Sequence, residues 1–140
     1  MLRSWWLAGL ILLCGVVAGA TQDEPWLRAV WFVVFAALAV LWSPLVFPRS
    51  VTAEEARARS ASDGRPIVYW RPGCRYCLRL RLRLGHSARR AYWVNIWSDP
   101  AGAAAVRAVT GGDETVPTVV ADGESTVNPE PEWLRRRLTR

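Results

Sequence analysis

Three of the 140 residues carry thiols, and two of them, Cys74 and Cys77, are separated only by Arg75 and Tyr76. A Cys-x-x-Cys pair between a strand and a helix reads as a redox motif. At a helix N-terminus Cys74 would meet unpaired backbone N–H groups and the positive end of the peptide dipoles, both of which favour the thiolate. Cys77, one turn on, lies on the same edge and can attack a mixed disulfide formed on Cys74. Arg75 and Arg71 add positive potential that lowers the Cys74 pKa and supports exchange near neutral pH. The competing reading is half of a zinc site, which needs a second cysteine pair or nearby histidines. His86 is the one histidine in the chain and reads as an exposed residue at a helix end, so no metal site is expected. Cys14 lies in an apolar run and reads as a buried apolar residue rather than a third redox partner.

Further along, Thr115-Val116-Pro117-Thr118 stands immediately before a strand candidate. A proline at a strand start has a plain explanation, because no ladder donor is needed there. Together with Cys-x-x-Cys it becomes more specific. A cis Val116-Pro117 bond would redirect the chain and leave the backbone of Val116 free to hydrogen-bond a peptide-like thiol lying across Cys74.

The elements that must position these groups alternate along the second part of the chain. Pro66 to Trp70 is a compact strand rich in β-formers, Pro72-Gly73 a turn, and Cys74 opens a helix that runs to Gly85. Within that helix Leu78 to Leu84 alternates Leu and Arg with period two, a strand signal. Both residues are good helix formers and no β-branched residue interrupts them, so the segment reads as helix. Tyr92 to Trp97 is a second strand, after which Asp99 caps a helix with Pro100 at its first position and Gly111-Gly112 at its end. Thr118 to Ala121 and Ser125 to Val127 are the third and fourth strands, joined by an Asp122-Gly123 turn. Asn128 with Pro129 starts a last helix in which Trp133, Leu134 and Leu138 share a face and Arg135, Arg136 and Arg137 point away. Upstream, Thr52 and Glu55 have capping-box spacing and open a short polar helix that breaks at Asp63-Gly64.

Ser4 to Gln22 and Ala29 to Phe47 are each free of charge over 19 positions. A helix needs roughly 20 apolar residues to cross the hydrocarbon core, and both runs are expected to do so. Trp5, Trp6, Trp26 and Trp42 sit near the ends, where indole rings favour the interface, and Arg28 can snorkel to the headgroups. The residues after Phe47 are too few to bury two such helices. Asp23 and Glu24 lie in the connector, whereas Arg3 precedes the first run and Arg49, Arg57, Arg59 and Arg65 follow the second. The positive-inside tendency then places both ends in the cytoplasm. Ala18-Gly19-Ala20 resembles a signal-peptidase site, but cleavage there would leave the second run and the arginines after it in the same orientation. The net charge of +6 rests on arginine alone, with 16 against 10 acids from Pro48 onward. No nucleic-acid motif accompanies it, and attraction to anionic headgroups beside the anchor is the simpler expectation. The domains read as a transmembrane hairpin over 1–48, a juxtamembrane helix and linker over 49–64, and a redox domain over 65–140.

The stretch Pro66 to Leu138 resembles the glutaredoxin branch of the thioredoxin superfamily, in particular actinobacterial mycoredoxins and their membrane-anchored relatives. The matching pieces are Trp70-Arg-Pro-Gly-Cys-Arg-Tyr-Cys77, the strand with Asn95-Ile96, Gly111-Gly-Asp-Glu-Thr-Val-Pro-Thr118, and Val127-Asn128-Pro129. The resemblance implies an α/β, thioredoxin-like domain, a four-stranded sheet flanked by helices, here preceded by the two transmembrane helices. It implies Cys74 as attacking thiolate, Cys77 as resolving thiol and Pro117 as a cis proline, with Arg71, Arg75, Tyr76, Thr115 and Val116 beside it around the substrate. It also implies a low-molecular-weight thiol, mycothiol, as co-substrate, with no bound cofactor; the arginine-only basic set, which suggests a GC-rich genome, is consistent with that. Two departures stand out. Arg75 occupies a position where the family often has proline, and the Gly-Gly before the last helix of glutathione-using members is replaced by Val127-Asn128-Pro129, which weakens a glutathione assignment.

The expected function is therefore reduction of mixed disulfides between that thiol and protein cysteines, in the cell membrane with the redox domain facing the cytoplasm. Its partners would be the small thiol and disulfide-bearing proteins, not nucleic acid. The alternative is a membrane-anchored iron–sulfur or adaptor module on the same scaffold, for which a cluster would need thiolates from across a dimer or from free thiols. Disulfide formation in exported proteins would require the domain on the outer face, against the arginine distribution.

Overall fold

The computed structural model describes residues 2–139. They form two compact units, one ending at Val46 and the other beginning at Phe47. The first unit holds two helices, α1 (Leu2–Ala20) and α2 (Pro25–Trp42). Pro25 occupies the first turn of α2, where a missing N–H costs nothing. The helices meet along small residues: a Cβ on Gly15 would come within 2.5 Å of the Phe35 Cβ, and Gly19 lies against Phe32. Their outer faces are apolar and open, with Leu13 60%, Val17 58% and Val33 69% exposed.

Among the described residues α2 is the one helix long and apolar enough to cross a membrane by length and composition; the apolar part of α1, Trp5–Ala20, is shorter. Arg28 is exposed and donates to the Gln22 carbonyl at 2.9 Å, on the side of the connector between the two helices. Cys14, expected to be buried, is exposed on α1. The helix pair buries only its small-residue seam, and Cys14 stands beside that seam rather than in it.

The second unit contains α3 (Ala53–Asp63), β1 (Ile67–Trp70), α4 (Arg75–Leu84), β2 (Tyr92–Asn95), α5 (Pro100–Thr110), β3 (Thr118–Ala121), β4 (Glu124–Val127) and α6 (Pro131–Leu138), with a 3-10 segment over Gly85–Arg90. The sheet order is β2-β1-β3-β4. β1 runs parallel to β2, with Ile67 opposite Tyr92 and Trp70 opposite Asn95, and antiparallel to β3, with Val68 opposite Val119. β3 turns back into β4 through Asp122 (φ 52) and Gly123 (φ 77), the positive angles that a two-residue hairpin requires. All four residues of β1 are buried, which is why the strand reads as a continuous apolar run rather than an alternation. This mixed four-stranded sheet with its helices is a thioredoxin-like arrangement.

Local capping fixes where the helices begin. The Thr52 hydroxyl accepts from the Glu55 N–H at 3.2 Å to start α3. Asp99 starts α5 through the Gly102 N–H at 3.0 Å and also receives the Ala53 N–H of α3 at 2.5 Å, so one carboxylate caps two helices. α3 is polar in sequence, yet its Ala53 and Ala56 are fully buried in the core. The segment before it is also held. Phe47 stacks on Trp70 with ring centroids 3.9 Å apart, and the Val51 N–H donates to the Trp93 carbonyl at 2.9 Å, extending the sheet beyond β2.

Three readings are corrected here. The last helix begins at Pro131, not at Asn128-Pro129. Asn128 and Glu130 each precede a proline, which disfavours the α region, and Asn128 instead takes φ 48. Arg137 does not point away, because its guanidinium lies 3.7 Å from the Trp133 ring centroid and donates to Glu124 at 2.9 Å. The second strand stops at Asn95, where the side-chain oxygen accepts the Trp97 N–H at 3.0 Å and turns the chain toward α5.

Candidate active site

Pro72 and Gly73 (φ 77) turn the chain at the end of central strand β1, and α4 follows at once. Its N-cap is Cys74 itself, extended at φ −82 and ψ 108, with its sulfur accepting the Cys77 N–H at 3.3 Å. A helix whose cap is a thiol places that sulfur on the unsatisfied N–H groups of its first turn. From the other side the loop between α5 and β3 brings in Val116, whose bond to Pro117 is cis. The Val116 carbonyl accepts the Cys74 thiol at 3.3 Å. Thr118, buried, ties its hydroxyl to the Thr115 carbonyl at 2.7 Å, and the Asn128 N–H bonds the Pro117 carbonyl at 2.7 Å, so the loop is held at both ends.

The residues singled out from the sequence converge here. An open groove of about 570 Å³ is lined by Arg71, Cys74, Arg75 and Tyr76 on one side and by Thr115 and Val116 on the other. Pro117, next to Val116, is fully buried. Gly73, read only as a turn residue, and Asp113 and Glu114, read only as part of the segment before Pro117, also line the groove. Their signal was adjacency alone, the two carboxylates standing directly before Thr115. Glu114 is occupied by Arg107 at 2.5 Å. Arg75 lies over the Tyr76 ring at 4.8 Å and donates to its hydroxyl at 2.9 Å. His86 is exposed in the 3-10 segment after α4 and is not among the groove's lining residues.

The two thiols are driven apart in acidity. The Cys74 pKa falls to about 6, first through the hydrogen bond from the Cys77 side chain, then through the backbone N–H groups of Cys77 and Tyr76 and the Arg71 charge, with burial opposing. As a thiol Cys74 donates to the Val116 carbonyl; as a thiolate it accepts a hydrogen bond from the Cys77 thiol, which keeps its proton. Cys77 has no exposure, and burial first, then the neighbouring Cys74 sulfur, pushes its thiol far up. The arrangement thus presents one accessible, readily ionised sulfur and keeps a second in reserve one turn inside. Among the described residues no group of three or more His, Cys, Asp or Glu could hold a metal ion. A separate hollow of about 390 Å³ beside Asp63, Arg65, Arg90 and Arg137 contains no thiol. Its Arg65 is engaged by Asp63, and its Arg137 by Asp122 and Glu124.

A thioredoxin-like sheet with an acidic thiol at a helix N-terminus, facing a cis-proline loop, defines a class of thiol-disulfide oxidoreductases. Residues 67–126 match the sequence profile of the glutaredoxin family. Two Mycobacterium tuberculosis proteins named as glutaredoxins, from strains CDC 1551 and H37Rv, are each 36% identical over 74 residues, covering 52% of this chain and 88% of theirs. No solved structure matches the chain significantly. The chain belongs to the glutaredoxin family, and thiol-disulfide oxidoreduction is its general activity.

Proposed function

We propose that this glutaredoxin reduces mixed disulfides between mycothiol and protein cysteines, with Cys74 as nucleophile and Cys77 as resolving thiol, on the cytoplasmic face of a membrane. The observation that carries the reading is the split pair: a half-exposed Cys74 with its pKa near 6 in the groove, and a buried Cys77 whose thiol stays protonated beside it. The Cys74 thiolate attacks the mycothiol sulfur of the mixed disulfide, the target cysteine leaves as thiolate, and mycothiol is now joined to Cys74. A second mycothiol attacks that bond, giving mycothiol disulfide and free Cys74. Alternatively Cys77 loses its proton and attacks Cys74, releasing mycothiol and leaving the Cys74–Cys77 disulfide.

Support for mycothiol over glutathione comes from Val127-Asn128-Pro129, which stands where glutathione-using members carry two glycines. Arg71, Arg75, Tyr76, Thr115, Val116 and Pro117 form the surface that receives the small thiol. Support for the anchor comes from α2 and from the exposed apolar faces of α1 and α2, read as a two-helix hairpin over 1–48. Arg3 and the arginines from Arg49 onward, against a connector around Asp23 and Glu24 that carries no base, favour both ends in the cytoplasm.

The deciding assay follows reduction of a mycothiol-modified and a glutathione-modified protein by the full chain in detergent or liposomes. Faster turnover of the mycothiol adduct supports the assignment, whereas equal or slower turnover removes the thiol specificity. A side-specific reporter at the C-terminus tests the orientation, and a periplasmic signal there would sink it.

A further inference from the structure

Over residues 75–90 the chain carries six arginines and no acid. Elsewhere in the second unit three exposed arginines answer a carboxylate: Arg59 meets Glu55, Arg65 meets Asp63, and Arg107 meets Glu114. On the outside of α4 none does. Arg79 and Arg83 lie four residues apart on the side away from the buried Cys77, Leu80 and Leu84, and among the described residues neither guanidinium has a hydrogen bond or ion pair. Like charges at this spacing disfavour the helix that carries them unless an anion lies against it. Close to them Leu82 is 57% exposed. α6 packs alongside, with Arg135 donating to the Arg83 carbonyl at 2.5 Å, and contributes Arg136, exposed and likewise without a partner among the described residues.

We propose that this outer face of α4 and α6, built from Arg79, Leu82, Arg83 and Arg136, docks on the anionic headgroups of a bilayer. The three guanidiniums match phosphate-bearing lipids in charge, and Leu82 among them suits a surface with apolar depth under its charged layer. A polyanion in water would satisfy the arginines but leave Leu82 uncovered. The inference rests on the membrane reading above, since an inserted α2 would tether the second unit to a bilayer and raise the local concentration of lipid.

The test uses the full chain in nanodiscs of phosphatidylcholine alone and of phosphatidylcholine with phosphatidylglycerol. Phenylglyoxal modification of each arginine is followed by peptide mass spectrometry. Docking predicts that Arg79, Arg83 and Arg136 react several-fold more slowly in the anionic discs, that high salt abolishes the difference, and that Arg107 is indifferent to the lipid. Equal rates in both discs, or slowing spread evenly over all exposed arginines, overturns the proposal. So does stronger protection of the same three residues by duplex DNA added to the phosphatidylcholine discs. Incorporation into the phosphatidylcholine discs reads the anchor separately. If the chain stays outside them, the anchor fails, and docking is then read from binding to anionic vesicles. In that case it stands only if the Arg79→Gln/Arg83→Gln/Arg136→Gln variant loses the binding that the unaltered chain shows.

Discussion

Two thiols three residues apart meet opposite surroundings on α4, and their roles follow from that difference. Cys74 alone has both exposure and a lowered pKa, so Cys74→Ser is expected to abolish exchange with a mixed disulfide. Cys77→Ser should keep exchange with a free thiol and accumulate the Cys74 mixed disulfide, visible by intact mass; equal and complete loss in both variants would contradict the division of labour. Iodoacetamide alkylation of Cys74 against pH should show a midpoint near 6, and a midpoint at or above about 8.5 would remove the activated thiolate. Stability should follow the same groups. The folded pKa of Cys74 lies below its unfolded value of ~8.5, so its contribution is absent below about pH 6, grows through the interval and is complete above about 8.5. Cys77 acts in the opposite sense: above about 8.5 the unfolded chain can ionise it while the folded chain resists, so stability is lost there. Melting of the reduced protein against pH should therefore rise from about 6 to about 8.5 and then fall. Cys74→Ser should lack the rise.

At the scale of elements, Asp99 and Gly102 show how α3, α5 and β2 are locked together. Asp99→Ala removes the cap of α5 and leaves the N–H of fully buried Ala53 unpaired, a loss expected at about 2–4 kcal/mol from the two contributions. Asp99→Asn should lose less, because one side-chain oxygen can still accept. A Cβ on Gly102 would come within 2.8 Å of the Val94 Cγ1, so Gly102→Ala should cost about 1–3 kcal/mol through overpacking of β2 against α5. Urea unfolding midpoints check both; a Gly102→Ala variant as stable as the parent would show that Val94 yields freely. The alternating Leu and Arg of α4 illustrate the limit of a local pattern. Period two suggested a strand, helical propensity suggested a helix, and the helix won because Cys74 and the Cys77 N–H close its first turn. The consequence is that Leu82 faces outward.

At the scale of the whole molecule, the second unit starts earlier than its first strand. Phe47 stacks on Trp70 and stands edge-on to Trp93 at 5.6 Å, while the Trp70 indole donates to the Ser50 hydroxyl at 3.1 Å. This segment belongs to the packing of the sheet, and Phe47→Ala is expected to cost about 2 kcal/mol by loss of aromatic contact and buried area. Denaturation followed by tryptophan fluorescence measures it, and a cost near zero would mean that the stack is incidental. The exposed apolar surface of α1 and α2 contrasts with that internal packing.

Short-range chemistry was legible in the residues alone. Cys-x-x-Cys after a β-rich run, Asp99-Pro100 before an alanine-rich run and Asp122-Gly123 between two strands are local signals, because caps, turns and thiol spacing act within a few bonds of chain. What the tertiary structure decided depends on contacts between residues remote in sequence. Cys74 and Val116, 42 residues apart, meet only because β1 pairs with β3. Arg71 contributes to lowering the Cys74 pKa, whereas Arg75 turns onto Tyr76. Asp113 and Glu114 enter the groove with the same loop, and Asp99 reaches back to Ala53. Ala53 and Ala56, polar in their neighbourhood, became core because a small side chain lets a helix approach the sheet closely, and no local pattern reports what lies opposite a residue until the sheet has formed.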